Sequence, residues 1–270
     1  MRCMSIMYST NENNIDVHMK VVILQTDISW ASPEENVRNA DAAIDKYESV
    51  DLFVLPEMFS TGFCTEPDGI AESADSNTLK WMKAKAAARD CALAGSVAVK
   101  ENGRFYNRFY FVHPDGKVEC YDKKHLFTYG GEDKRFTAGK DRVIVTFRGV
   151  RILLLVCYDL RFPVWSRNRG DYDMILYVAS WPKTRVEAWK LLLRARAIEN
   201  QCYVAGVNRV GKDPYCEYSG GSAIIDSYGR IVAECEDGKV CEAQGNININ
   251  ALQNFRKVFP VLNDADCFSL

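Results

Sequence analysis

Five of the six residues from Arg151 to Val156 are aliphatic, a run typical of a buried β-strand. The run stops at Cys157 and is followed by Tyr158-Asp159-Leu160-Arg161 and then Phe162-Pro163. A switch this abrupt suits a nucleophile on a sharp strand-to-helix turn, where free backbone N–H groups can hold an oxyanion. Two other segments have the same character: Leu55-Pro56-Glu57-Met58-Phe59 and Tyr121-Asp122-Lys123-Lys124-His125-Leu126-Phe127.

The rest of the chain places these segments in an α/β context. Strands are predicted at Val21–Thr26 (opening at Met19-Lys20), Asp51–Leu55, Ala92–Lys100 and Arg104–Val112, the last two joined by an Asn102-Gly103 turn. Further strands are predicted at 143–147, 151–156, 174–178, 202–208, 221–225, 231–236 and 240–249. Ser32-Pro33-Glu34-Glu35 reads as a capping box opening a helix whose apolar stripe is Val37, Ala40, Ala43 and Ile44. Helices are also predicted over 78–91, 162–169 and 184–201, the last with Val186, Trp189, Leu192, Leu193 and Ile198 near one side. Residues 123–140 are loop-rich. Without repeats or a break in composition, residues 19–270 read as one α/β domain and residues 1–18 as a flexible extension.

Bulk properties narrow the function. The chain has 270 residues, 47% of them hydrophobic, and a net charge of -2. No basic stripe suggests nucleic acid as a partner. No apolar run approaches the roughly 18 residues of a membrane helix, so no membrane partner is expected. No secretory apolar segment opens the chain, so a cytoplasmic location is expected. The ten cysteines are irregularly spaced, and the three histidines (His18, His113, His125) form no cluster with them. No metal site is expected, and the thiols are read as reduced.

Taken singly, the residues at the three strand ends are ordinary. A lone glutamate after a proline suits a solvated loop, a lysine in a charged run suits a surface, and a lone cysteine suits the core. Together and in this order, they resemble the motifs of the nitrilase (carbon–nitrogen hydrolase) superfamily. Gly131-Glu132, Trp181-Pro182 and Arg194-Ala195-Arg196-Ala197-Ile198-Glu199-Asn200 add to the likeness. Asp159-Leu160-Arg161-Phe162-Pro163-Val164-Trp165-Ser166-Arg167 and the tail from Phe259-Pro260 to Asp264-Ala265-Asp266 are most similar to the bacterial omega-amidase branch.

The resemblance implies a four-layer α-β-β-α sandwich of two mixed sheets. It implies a Glu57-Lys123-Cys157 triad supported by Glu132, and a homodimer or larger homo-oligomer built through a helical layer. The substrate class it implies is a small 2-oxo dicarboxylate monoamide. Such a substrate needs a cation for its distal carboxylate. Lys124, Arg161, Arg185 and Arg209 are candidates, and Phe63, Phe127 and Trp181 are candidate pocket walls.

The chemistry suits these residue types. A thiol attacks an amide as thiolate, so Glu57 is expected to take its proton. Lys123 and the Tyr158 backbone N–H are expected to hold the oxyanion, leaving a thioester that water hydrolyses. No cofactor is required. His125 is expected to satisfy a buried backbone group, with a Cys157–His125 dyad as the rival reading. The same triad would also suit a nitrile, an N-carbamoyl amino acid or an aliphatic amide as substrate, or acyl transfer to an amine. A non-catalytic binding protein is the rival from outside the enzymes.

Overall fold

The computed structural model describes residues 17–266, so the expected extension lies largely outside the described residues. In chain order the strands are β1 (His18–Gln25), β2 (Leu52–Val54), β3 (Glu72–Ser73), β4 (Ala92–Glu101), β5 (Arg104–Val112), β6 (Val118–Asp122), β7 (Ile144–Phe147), β8 (Val150–Val156), β9 (Met174–Ala179), β10 (Tyr203–Asn208), β11 (Val210–Lys212), β12 (Glu217–Ser219), β13 (Ala223–Ile225), β14 (Ile231–Glu234) and β15 (Cys241–Asn248). The helices are α1 (Pro33–Ile44), α2 (Asn77–Arg89), α3 (Pro163–Ser166), α4 (Val186–Glu199) and α5 (Ile249–Val258).

One sheet runs β15-β1-β2-β4-β5-β6, with β3 beside β4; the other runs β14-β13-β10-β9-β8-β7. Each is mixed in the same way. The parallel centres are β1-β2-β4 and β8-β9-β10, and antiparallel strands flank them.

Alternation along β1 shows how the layers stack. Met19, Val21 and Ile23 pack into the core between the sheets, together with Ile152, Leu154 and Val156. Val22 and Leu24 point the other way and pack with Ala40, Ala43 and Ile44 of α1 and Met82 of α2. On the second sheet, Gly206 lets α4 lie close: a Cβ there would stand 2.3 Å from Leu193 Cδ1. The four-layer α-β-β-α sandwich expected from the sequence is present.

Several local expectations change. The first strand opens at His18. Ser32 does not cap α1 with its side chain; its Oγ donates to Trp30 O at 3.1 Å. Ile198 is 52% exposed while Trp189 is fully buried, since nine residues at 100° per residue put them on opposite sides of α4. The buried line is Trp189, Leu193 and Ala197. β6 and α5 appear where no such element was expected. The eight described cysteines are free.

Candidate active site

The site lies at the carboxyl ends of strands β2, β6, β8 and β9, where the chain turns away from both sheets. Glu57 follows β2, Lys123 follows β6, Cys157 follows β8 and Ser180 follows β9. Cys157 and Met58 each have φ of 45°. This left-handed conformation costs an L-residue roughly 1–2 kcal/mol.

Asp159 holds the turn at Cys157. Fully buried, its Oδ2 accepts from Val156 N at 2.9 Å and Tyr121 OH at 2.7 Å. Its Oδ1 accepts from His125 N at 3.0 Å and lies 2.8 Å from His125 Nδ1. The His125 ring stacks on Phe162 at 3.9 Å. The expectation for His125 is therefore corrected: its ring bonds a carboxylate rather than a backbone group, and it does not line the pocket with Cys157. The geometry gives no support to the dyad.

Glu57, Lys123 and Glu132 are all fully buried. Lys123 Nζ donates to Glu57 Oε1 at 2.9 Å and to Glu132 Oε2 and Oε1 at 2.9 and 3.2 Å. Asn107 Nδ2 donates to Glu57 Oε1 at 2.7 Å and to Glu132 Oε1 at 3.1 Å. Ser180 N donates to Glu57 Oε2 at 2.8 Å and Phe127 N to Glu132 Oε2 at 2.7 Å.

Two oxygens offer about four acceptor sites per carboxylate. Glu132 receives four donor contacts, so its sites are filled. Glu57 receives three, which leaves one site on Oε2. This difference separates a carboxylate suited to proton transfer from one suited to holding the lysine.

Burial alone would lower the Lys123 pKa, but Glu132 and Glu57 outweigh it and hold the ammonium form. Burial raises the Glu132 pKa, opposed by Lys123 and reinforced by Glu57. Burial and then the Glu57 charge push the Cys157 thiol well above its usual range, with Lys123 opposing. Cys157 at rest is a thiol that needs a base.

A pocket of about 470 Å³, its open mouth included, connects these groups to solvent. Glu57, Lys123 and Cys157 lie at its base, and Phe63, Phe127, Tyr158 and Trp181 wall it. Tyr158 is the second residue of a 3-10 turn, Cys157–Arg161, so its N–H has no acceptor within that turn. Sequence reasoning passed over Asn107, Ser180, Cys216 and Tyr218, which lack a local signal.

The four candidate cations separate. Arg161 and Arg185 line the pocket, their guanidinium carbons 4.8 Å from the Trp181 ring centre and 5.6 Å from that of Phe127. Lys124 lies over Trp165, 5.2 Å away, outside this pocket. Arg209 is fully buried and bonds the backbone oxygens of Val210, Ile28 and Lys212 as well as Asp27.

Residues 20–257 match the carbon-nitrogen hydrolase family. The chain belongs to that family. Within it, the chain falls in the omega-amidase branch of the nitrilase superfamily and is an amide hydrolase. An omega-amidase of Escherichia coli (strain K12) is 45% identical over 253 residues, covering 93% of this chain and 98% of that protein. A 2-oxoglutaramate amidase of Bacillus subtilis is 37% identical, covering 89% and 95%. The solved structure of a CN-hydrolase superfamily protein from Xanthomonas campestris, with an arsenic adduct in its active site, superposes with a TM-score of 0.91. It is 40% identical, and the match covers 94% of this chain and 99% of that one.

Proposed function

We propose that this carbon–nitrogen hydrolase cleaves the terminal carboxamide of small 2-oxo dicarboxylate monoamides of the 2-oxoglutaramate and 2-oxosuccinamate type, giving ammonia and the acid. The observation that carries this reading is the pocket's pairing of a thiol and a buried carboxylate–ammonium–carboxylate base with two guanidiniums, Arg161 and Arg185. Neither guanidinium has a carboxylate partner among the described residues. A substrate with an amide at one end and a carboxylate at the other would complement both regions. The named activities of the Escherichia coli and Bacillus subtilis relatives support this class.

Glu57 takes the thiol proton on the open site of Oε2, and Cys157 Sγ attacks the amide carbon. Lys123 Nζ and Tyr158 N–H stabilise the oxyanion. Glu57 returns the proton to the amide nitrogen, the C–N bond breaks and ammonia leaves a thioester on Cys157. Glu57 then takes a proton from water as its oxygen attacks the thioester. Breaking the C–S bond releases the acid and, with that proton, restores the thiol.

The test is ammonia release from 2-oxoglutaramate and from butyramide, a neutral amide, by the wild type and C157A. Rapid release from the first substrate only, abolished in C157A, is expected. Equal turnover of butyramide would rule out a carboxylate subsite. Activity retained by C157A would rule out Cys157 as the nucleophile. Preferential turnover of a nitrile or an N-carbamoyl amino acid would replace the substrate class.

A further inference from the structure

Asn107 lies on β5, fully buried, and carries no motif of its own. Its carbonyl accepts from Lys123 N at 3.0 Å, which sets the two residues side by side at the end of the β5–β6 pairing. Both hydrogens of its amide are committed, one to each carboxylate. Its Oδ1 has no protein donor among the described residues. Turning the amide over would set Oδ1 against two carboxylate oxygens, so the carboxylates alone fix its orientation.

Lys123 Nζ reaches Glu57 Oε1 and both oxygens of Glu132; the latter subtend far less than a tetrahedral angle at Nζ, so one hydrogen serves the two. One hydrogen to each carboxylate leaves the third for an oxyanion. The longest contact, 3.2 Å to Glu132 Oε1, is the weakest, and this oxygen has its own bond from Asn107. Glu57 Oε1 is held in the same way while Oε2 carries the proton.

We propose that Asn107 is a positioning residue. It bridges Glu57 and Glu132, holding the two carboxylates where Lys123 gives one hydrogen to each and keeps the third for the oxyanion. The inference rests on the roles proposed above for Glu57 and Lys123. The titratable groups around this amide are Glu57 after β2, Glu132 in the loop after β6, Lys123 at the end of β6, Cys157 after β8 and Cys64 in the loop after Glu57.

The experiment compares N107L, N107D and E57Q by steady-state kinetics on 2-oxoglutaramate across pH, with melting temperature as a folding control. N107L keeps the shape and loses both donors. Its kcat is expected to fall about 10- to 100-fold, with KM changed less than threefold. N107D puts a third carboxylate beside one ammonium, so the cluster binds an extra proton. Protonated, the aspartic acid again offers an O–H donor. Its activity relative to wild type is therefore expected to rise as pH falls from 8 to 5.5.

Wild-type kcat in N107L would overturn the inference, as would N107D activity in constant ratio to wild type across pH. If N107L does not fold, the isosteric N107D profile decides. E57Q separates this inference from the reading beneath it. An active E57Q sinks the general base itself; an inactive E57Q beside a fully active N107L sinks only the role of Asn107.

Discussion

The base and the rim of the pocket hold their charges in opposite ways. At the base, Lys123 is fully buried between two fully buried carboxylates and bonded to both. At the rim, Arg161 and Arg185 lie against aromatic rings without a carboxylate partner among the described residues. Desolvating the charges at the base is offset by their mutual pairing as the chain folds. The rim guanidiniums are placed by Trp181 and Phe127, but their charge stays available to a ligand. The base is complete in the folded chain, whereas the rim keeps two charges without a carboxylate partner among the described residues.

Removing Lys123 breaks the comparison hardest. K123M is expected to lower kcat about 10³-fold, the scale of losing one oxyanion donor. It also leaves two buried carboxylates without a cation, a loss of about 3–5 kcal/mol in stability. The pH sign follows from linkage. Without the ammonium, burial and mutual repulsion hold the carboxyls protonated to higher pH in the folded state than in the unfolded chain. The stability this contributes is present below the unfolded value of about 4.3 and is lost as pH rises. Urea unfolding should show a gap between K123M and wild type that widens from pH 5 to pH 8. A constant gap would mean that Lys123 does not compensate these carboxylates.

The rim should respond in binding. R161M and R185M are each expected to raise KM for 2-oxoglutaramate about 10- to 100-fold, the scale of one charge-assisted hydrogen bond. Their kcat should stay within a few-fold of wild type, and slow turnover of a neutral amide should not change. A matching loss on the neutral amide would make the two arginines wall residues rather than a carboxylate subsite.

What the sequence disclosed about this pocket divides along the same line. Cys157 was legible because its signal is local: an aliphatic strand cut short by charged residues. Glu57 had part of that signal, while Lys123 and Glu132 drew their roles from the resemblance of whole motifs. Asn107 and Ser180 were not legible. Asn107 is one polar residue in the strand Arg104–Val112, and only the pairing of β5 with its neighbours places its amide between two carboxylates. Among the cations, nearness to a motif misled, because consecutive residues in extended chain point to opposite sides. Asn208 bonds Trp181 at the pocket while Arg209 turns away to Asp27, and Lys123 enters the site while Lys124 does not. In the fold, β6 was missed because its polar Glu-Cys-Tyr-Asp lacks a buried alternation, and α5 because it follows β15 without a break.

The smallest effect tests whether burial between cations is enough to make a functional carboxylate. Asp173, 3% exposed, accepts from Arg151 Nε at 2.9 Å and Arg151 Nη2 at 2.8 Å, and from Arg256 Nη1 at 2.8 Å. It resembles Glu57 in burial and pairing, but it ties α5 to the second sheet and lines no part of the pocket. Burial would raise its pKa, but the bonds and charges of Arg151 and Arg256 outweigh it and hold it below the usual value. A lowered folded value means stability that is present above the unfolded pKa of about 3.9 and lost as pH falls through the folded one. Both arginines are partly exposed, so solvent screening limits the contribution. D173N is therefore expected to lose about 1–2 kcal/mol at pH 7, with the gap to wild type closing below about pH 3.9, and to keep wild-type kcat and KM. Altered kinetics would show that α5 transmits strain to the pocket. Unchanged kinetics would mean that the distinctive feature of Glu57 is not its burial between donors but the one acceptor site they leave open beside a thiol.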